Sequence, residues 1–308
     1  MGRTEFTFEN KDDILIQVYK WTPTTSVKGI VCISHGMSET ALRYDAFANA
    51  LSDEGYVVYA HDHRGHGKSA KSMEELGYVS DNDGFFDMVE DVKKVVKLAK
   101  EEYPGQDVVL FSHSMGSFLA QRYIQLYGGD LAGVILSGTN GKPPWLVNVG
   151  IVVAKTLMTL KGRKADGKLL DKLTFGSYNR PFEPADTPFD WLSRDKEQVK
   201  KYIDDPYCGN VFPVSFYHDL FMGTKEIHKQ EYIHEVPKEL PIYIFAGDKD
   251  PVGDFGQGII RLYDAYKKAG IKNVSYKLYE GGRHESLNEI NRDEVIKDTI
   301  TWLNKVFS

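Results

Sequence analysis

A serine at position 114 has the setting of a catalytic nucleophile. Residues 108–117 read VVLFSHSMGS, so that an apolar run ends just before Ser114 and a helical pattern begins just after it. A serine on such a sharp strand-to-helix turn presents its hydroxyl, and the turn needs small residues two positions away on either side. Ser112 and Gly116 meet this need, although serine replaces the first glycine of the G-x-S-x-G pattern. We therefore expect Ser114 to be a nucleophile.

An acid and a histidine follow Ser114 in the order that this turn predicts for its catalytic partners. Asp250 lies in GDKDPV, just after the predicted strand 241–246, and His284 lies in the glycine-rich stretch GGRHE after the predicted strand 274–279. A serine hydroxyl becomes nucleophilic when an imidazole takes its proton, and a carboxylate must hold that imidazole in one tautomer. Asp248 and Asp254 are the alternatives to Asp250, and Asp254 is better explained as a helix cap.

A negative oxygen forms during acyl transfer, and backbone N–H groups are expected to stabilise it, at about 3 kcal/mol per donor. In proteins with this turn, one N–H group belongs to the residue after the nucleophile and another to the loop after the third strand. The first residue is Met115. In the loop 34–39, SHGMSE, Gly36 lets the backbone approach closely, and Met37 is the best candidate for the second donor.

The elements that must position these residues alternate between strands and helices, which predicts a mostly parallel sheet wrapped by helices. An opening hairpin is expected at 5–8 and 14–21. Further strands are predicted at 29–34, 56–61, 108–113, 131–136, 241–246 and 274–279, and helices near 42–53, 86–102, 258–268 and 294–306.

The interval from 141 to 236 has no clear strand pattern and is predicted to be a helical cap inserted above the nucleophile. Residues 1–140 and 237–308 would then form the core. The run 145–160 carries one charge, Lys155, in sixteen residues. It is interpreted either as a helix packed between cap and core or as a lid that binds acyl chains and makes transient contact with a membrane surface. The run is too short to span a membrane, which takes about 20 apolar residues.

Composition argues against several classes of partner. The formal net charge of −6 and the absence of a Lys/Arg cluster disfavour nucleic acid. Cys32 and Cys208 show no metal-ligand spacing and are not expected to form a disulfide. His61, His63 and His66 are interleaved with Arg64 and glycines rather than carboxylates, so neither a metal nor another cofactor is expected. The first residues lack an apolar signal segment, which favours the cytoplasm.

Five motifs together resemble the monoglyceride lipase and lysophospholipase-like branch of the α/β-hydrolases, which includes serine aminopeptidase S33-type domains. They read HGMSE with RY at 35–44, DHRGHGKS at 62–69, SHSMG at 112–116, GDKD at 247–250 and GRHE at 282–285. The resemblance implies an eight-stranded α/β-hydrolase sheet, the triad Ser114, Asp250 and His284, and an oxyanion hole at Met37 and Met115. It also implies that Glu39 and Arg43 lie near the oxyanion loop, where they bind each other or the polar head of the substrate.

The expected activity is hydrolysis of a small-molecule ester, with monoacylglycerols first and lysophospholipids second among single-chain lipid esters. A broad carboxylesterase, a thioesterase and an iminopeptidase-type peptidase remain alternatives, and Glu183, Asp186 or Asp190 could hold the free amine of a peptide. A non-catalytic binding protein would be expected to have lost a triad member or the oxyanion glycine, and none is missing. A haloalkane dehalogenase would need aspartate at position 114.

Overall fold

The computed structural model describes residues 2–143 and 145–308; Met1 and Pro144, which fall in the predicted core and cap, lie outside the described residues. The strands within these ranges are β1 Gly2–Glu9, β2 Leu15–Thr22, β3 Gly29–Ser34, β4 Tyr56–His61, β5 Val108–His113, β6 Gly133–Ser137, β7 Ile242–Gly247 and β8 Val274–Tyr279. The helices are α1 Asp45–Asp53, α2 Gly84–Glu102, α3 Met115–Tyr127, α4 Leu146–Lys161, α5 Lys168–Phe175, α6 Lys196–Asp204, α7 Val214–Glu226, α8 Gln230–Glu235, α9 Gln257–Lys268 and α10 Arg292–Val306.

The eight strands form one sheet in the order β1-β2-β4-β3-β5-β6-β7-β8. β1 pairs antiparallel with β2, and β2 pairs antiparallel with β4. The remaining neighbours are parallel. The prediction of a mostly parallel eight-stranded sheet flanked by helices is confirmed, and so is its opening hairpin.

The strand order reverses next to β3, because the chain passes from β3 to β4 on one side and returns to β5 on the other. Ligands of open parallel sheets bind at such a reversal, beyond the carboxyl ends of the strands. β3 ends at Ser34 and β5 ends at His113, so the loops that carry Met37 and Ser114 both begin at this point. The topology therefore brings two distant motifs together.

The central strands are apolar runs because helices cover both faces of the sheet. Every residue of β3, β4, β5 and β7 is buried. α2 buries the predicted face, Met88, Val92, Val95, Val96 and Ala99, and the side chain of Asp83 caps its first turn by accepting from the Phe86 N–H group at 3.1 Å.

One helix begins later than the sequence predicts. Residues Ala41–Tyr44 form a 3₁₀ turn, and α1 begins at Asp45 rather than near Leu42. The N–H group of Ala41 donates to Asp62 Oδ1 at 2.8 Å, which ties the start of this turn to the loop after β4. The prediction was wrong here because Asp62 lies 21 residues away in sequence.

The segment between β6 and β7 is helical, and we call residues 141–236 the helical insertion. It contains α4 to α8, and in its described residues a single isolated bridge, between Asp166 and Pro213, is the only β pairing. α4 packs mainly against α7. Its separate identity as a cap domain stays a prediction.

None of the described helices is both long and apolar enough to cross a membrane.

Candidate active site

Ser114 forms the whole turn between β5 and α3. Its backbone has φ 51° and ψ −120°, a conformation that residues other than glycine rarely adopt. The Ser114 N–H group donates to the carbonyl oxygen of Ser137 in the neighbouring strand at 2.9 Å. The strained turn therefore projects the serine from the end of a central strand, as the sequence predicted for a nucleophile turn.

The small residues around this turn have separate physical reasons. A Cβ atom at Gly116 would lie 2.6 Å from the backbone oxygen of His35, so only glycine lets α3 approach the end of β3. Ser112 is fully buried and donates its hydroxyl to the carbonyl oxygen of Ile135 at 2.7 Å. Serine in place of glycine at position 112 is therefore accommodated by a hydrogen bond across to β6.

Asp250 and His284 are in direct contact although they come from different loops. His284 Nδ1 lies 2.9 Å from Asp250 Oδ1, and both side chains are buried. Asp250 Oδ1 also accepts from the Val252 N–H group at 2.8 Å. Burial disfavours the imidazolium form, but the Asp250 carboxylate, together with Glu285 and Glu39, outweighs burial and holds the pKa of His284 above its ordinary value.

The two rival carboxylates have other partners. Asp248 Oδ1 accepts from the Gly281 N–H group at 2.8 Å, which fixes the glycine-rich loop before His284. Asp254 forms an exposed ion pair with Arg261 at 2.8 Å. Of the three candidates from the sequence, Asp250 is the one that meets the histidine.

Ser114 and His284 line the same cavity, together with Met37 and Met115. Within the described residues no hydrogen bond joins the serine hydroxyl to the imidazole; such bonds often tighten when substrate binds. The ring of His113 lies 4.7 Å from that of His284, and the ring of Trp191 lies 5.1 Å from it. The backbone oxygen of Trp191 also accepts from the His284 N–H group at 3.3 Å.

The N–H groups of Met37 and Met115 have no protein acceptor among the described residues. Met115 is the first residue of α3, where an N–H group has no partner within the helix. Both groups are therefore free to donate to a ligand in the cavity that they line.

Glu39 and Arg43 are paired with each other, which is one of the two roles expected for them. Arg43 Nη1 donates to Glu39 Oε2 at 3.0 Å, and the same guanidinium also contacts Glu285, a residue that sequence reasoning quoted but gave no role. Glu39 lines the cavity. Contact of Glu39 and Arg43 with the polar head of a substrate stays a prediction.

Four neutral histidines support the loop after β3. The His63 N–H group donates to His35 Nε2 at 2.9 Å, which leaves the His35 proton on Nδ1 to donate to the Gly36 oxygen at 2.7 Å. Burial lowers the pKa of His61 to about 3 and that of His66 to about 4. Across the described ranges no three His, Cys, Asp or Glu side chains gather as a metal site would require.

The cavity has a volume of about 440 Å³ and its walls are mainly apolar. One polar lining residue was missed by sequence reasoning: Asp171, on α5, accepts from the Tyr217 hydroxyl at 2.9 Å. No sequence signal singled out Asp171, because it lies on an ordinary amphipathic helix. Apolar lining residues come from α3 and from the helical insertion, including its segment before α6; they include Phe118, Val147, Phe175, Trp191, Leu192 and Phe221.

The chain is similar to known proteins over most of its length. A family model described as serine aminopeptidase, S33, matches residues 25–291. The chain is 30% identical to the monoacylglycerol lipase of Mycolicibacterium smegmatis over 305 residues, which cover 98% of this chain and 97% of that one. It is 30% identical to human monoglyceride lipase over 292 residues, or 92% and 85% of the two chains. The crystal structure of a carboxyl esterase from Bacillus coagulans, in complex with glycerol, matches over 100% of both chains with a TM-score of 0.92 and 32% identity.

The neutral histidines predict a loss of stability in mild acid. A histidine with a lowered pKa in the folded protein takes up its proton on unfolding, so the free energy of unfolding falls as pH drops below about 6.5. For His66, with its pKa near 4, the loss at pH 5 is on the order of 2 kcal/mol. Urea unfolding at pH 7 and pH 5 should show a smaller fall for His66→Gln than for the wild type. Replacing the exposed His234 by glutamine should leave the fall unchanged; an equal fall in all three proteins would contradict the assignment.

Proposed function

Since this chain belongs to the serine aminopeptidase S33 family of α/β-hydrolases, we propose that it hydrolyses single-chain lipid esters through an acyl-enzyme on Ser114. The resemblance noted from its motifs is thereby confirmed. The chain is a hydrolase, and relatives named as monoglyceride lipases and a carboxyl esterase make it an ester hydrolase. The finer proposal is carried by one observation: Ser114, His284 and the free N–H groups line the same apolar cavity.

The proposed reaction begins when Ser114 Oγ attacks the carbonyl carbon of the ester and His284 Nε2 takes the hydroxyl proton. Asp250, in contact with Nδ1, keeps the imidazole in the required tautomer and stabilises the imidazolium. The Met37 and Met115 N–H groups donate to the oxyanion. The C–O bond to the alcohol then breaks, the alcohol leaves with the proton from His284, and water repeats the sequence to release the acid.

The character of the cavity supports a substrate with one acyl chain. Aromatic and aliphatic side chains surround the reacting serine, and each methylene that they bury contributes up to about 0.8 kcal/mol. A short acetyl group would leave most of the 440 Å³ unfilled. Monoacylglycerols are therefore the first proposed substrates and lysophospholipids the second, with the helical insertion (141–236) acting as the cap that admits them.

The exposed apolar face of the helical insertion supports transient contact with a membrane surface. α4 buries Ala154 fully, and its part-buried residues Val153, Leu157 and Met158 pack against the core. Packing between cap and core therefore accounts for one side of α4 and leaves the other side exposed. Soluble proteins rarely expose large contiguous apolar patches without a binding role. Side chains that are about half exposed or more on α4, just before it and on α5 are Trp145, Leu146, Val149, Val152, Leu160, Leu169 and Leu173.

One observation favours a second candidate, an aminoacyl substrate with a free amine. Two of the three carboxylates suggested for this role from the sequence are engaged elsewhere: Asp190 binds Thr187, and Asp186 pairs with Lys196. The third, Glu183, is exposed and does not line the cavity. Asp171 lines the cavity instead and could pair with an amine, but the Tyr217 hydroxyl already donates to it. The ester hydrolase with an apolar cavity is the better supported function.

Asp250→Asn should lower kcat by on the order of 10⁴, because His284 then loses the carboxylate that orients it. Asp248→Asn is the matched control and should be far milder, since Asp248 binds the Gly281 N–H group. In the wild type, kcat/KM should rise with pH as His284 loses its proton, with a midpoint above 6.5 because its pKa is raised. Reversed effects of the two variants would show that the acid is misassigned.

Acyl-chain preference tests the substrate proposal. The ratio kcat/KM, measured on p-nitrophenyl acetate, butyrate, octanoate and laurate beside a monoacylglycerol, should rise with chain length until the cavity is full. Each added methylene should raise kcat/KM by at most about fourfold, which corresponds to the burial of one CH₂ group. Highest activity on acetate without turnover of the monoacylglycerol would contradict the lipid proposal, and preference for an aminoacyl amide would favour the second candidate.

A separate experiment tests the proposed contact with a membrane surface. Co-sedimentation with phosphatidylcholine vesicles should be strong for the wild type and weaker for Val152→Asp, which places a charge on the exposed face of α4. Leu15→Asp is the control, because Leu15 is similarly exposed (59%, against 63% for Val152) but lies on β2. If the wild type stays in the supernatant, or if both variants lose binding equally, the proposed surface contact is wrong.

A further inference from the structure

Three buried charged side chains connect the loop after β3 to the loop that carries His284. Arg43 Nη1 donates to Glu39 Oε2 at 3.0 Å, and its Nη2 donates to Glu285 Oε2 at 2.7 Å. Nη1 also donates to Glu285 Oε1, so the contact with Glu285 is bidentate. The exposed fractions of the Glu39, Arg43 and Glu285 side chains are 4%, 10% and 6%, which separates this group from screened surface ion pairs. We call it the Arg43 link.

One end of the Arg43 link holds the backbone beside a proposed oxyanion donor. Glu39 Oε1 accepts from the Gly36 N–H group at 2.5 Å, and Gly36 directly precedes Met37. The same oxygen accepts from the Tyr44 hydroxyl at 2.8 Å. Hydrogen bonds to a carboxylate are shorter and about twice as strong as neutral ones, so Glu39 restrains this turn firmly.

The other end holds the residue that follows the proposed base. Glu285 is joined to His284 by one peptide bond, and its N–H group donates to the backbone oxygen of Leu192 at 2.8 Å. Asn288 Nδ2 donates to Glu285 Oε2 at 3.0 Å. Glu285 therefore keeps a fixed geometry. Burial alone would raise the pKa of its carboxyl, but the Arg43 guanidinium outweighs burial and holds that pKa below the ordinary value.

The helical insertion covers the middle of the link. The guanidinium carbon of Arg43 lies 4.8 Å from the ring centroid of Tyr202, on α6. Planar, weakly hydrated guanidinium groups suit such stacked and bidentate positions, where a lysine would lose the second hydrogen bond. Arg43 is thus bound to two carboxylates and stacked on an aromatic ring.

We propose that Glu39, Arg43 and Glu285 are positioning residues that fix the Met37 N–H group relative to His284 during acyl transfer. The base and the oxyanion donor come from loops about 240 residues apart, and this group spans both of them. The inference rests on the proposed function, because it concerns the same serine reaction. This role differs from the one expected from the sequence, in which Glu39 and Arg43 contact the polar head of the substrate. In the proposed role they position the groups that react with it.

Three roles for the link predict different kinetics. Positioning residues act on the transition state, so their loss lowers kcat and leaves KM nearly unchanged. If the link instead contacts the substrate head, its loss would raise KM. If it is merely a structural ion pair, its loss would lower the unfolding temperature and leave kcat and KM of the folded protein unchanged.

The test compares Glu39→Gln, Glu285→Gln and the neutral triple variant Glu39→Gln/Arg43→Met/Glu285→Gln on p-nitrophenyl butyrate. Each single variant should lower kcat by on the order of 10²-fold, as misplacement of reacting groups by about 1 Å does. KM should change less than about twofold, since uniform binding of the substrate is kept. The triple variant should be no slower than the slower single variant, because all three changes break one connection.

Two further measurements keep the outcome decisive. Inhibition by a trifluoromethyl ketone, which adds to the serine as a tetrahedral adduct, should weaken in parallel with kcat in each variant. Arg43→Lys keeps the buried charge without the planar fork, so it should fold and show a kcat between wild type and Glu285→Gln. It therefore tests the link even if the triple variant does not fold.

Asp91→Asn is the matched control. Asp91 forms another buried ion pair, with Arg64 at 2.6 and 2.9 Å, and neither residue contacts the Arg43 link or His284. This variant should unfold at a lower temperature with kcat unchanged.

Raised KM with normal kcat, multiplicative losses in the triple variant, or an equal kcat loss in Asp91→Asn would overturn the inference. If Ser114→Ala still hydrolyses the ester, the proposed function fails first. If Ser114→Ala is inactive and the variants behave additively, only the positioning role fails.

Discussion

The structure of the site depends on one strained residue, Ser114, which reverses the chain between β5 and α3 within a single position. Its φ of 51° is held by the hydrogen bond from its N–H group to Ser137 and by the close approach of Gly116 to the end of β3. A Cβ atom at position 116 would push the start of α3 away from the end of β3. The spacing of the nucleophile and the loop with Met37 therefore follows from this turn.

Around this turn, charge is buried only where it has a partner. Asp250 meets His284, and Arg43 meets two carboxylates, whereas the histidines of the β3 and β4 loops stay neutral because burial lowers their pKa. Glu285 of the Arg43 link, whose carboxyl pKa Arg43 holds below its ordinary value, lies beside the imidazole that becomes positive in the proposed mechanism. Such a fixed charge needs no reorganisation when the proton moves.

Much of this was predictable from the sequence because it depends on local pattern. β3 and β8 have the predicted bounds, since apolar or alternating runs between turn residues specify short strands. Asp250 and His284 each follow a strand, so their neighbouring positions in a parallel sheet were expected. The start of α1, the Glu285 contact of Arg43 and the place of Asp171 in the cavity were not predictable. Each depends on side chains brought together only by the tertiary fold.

The central claim is that Ser114 carries the acyl group of the ester during turnover. It is tested most directly by mass spectrometry of the protein quenched in acid within the first turnover of p-nitrophenyl octanoate, followed by peptide mapping. The account predicts one octanoyl group per chain, on the peptide that contains Ser114, and no adduct in Ser114→Ala. An acyl group on another residue, or steady hydrolysis by the Ser114→Ala variant, would contradict it.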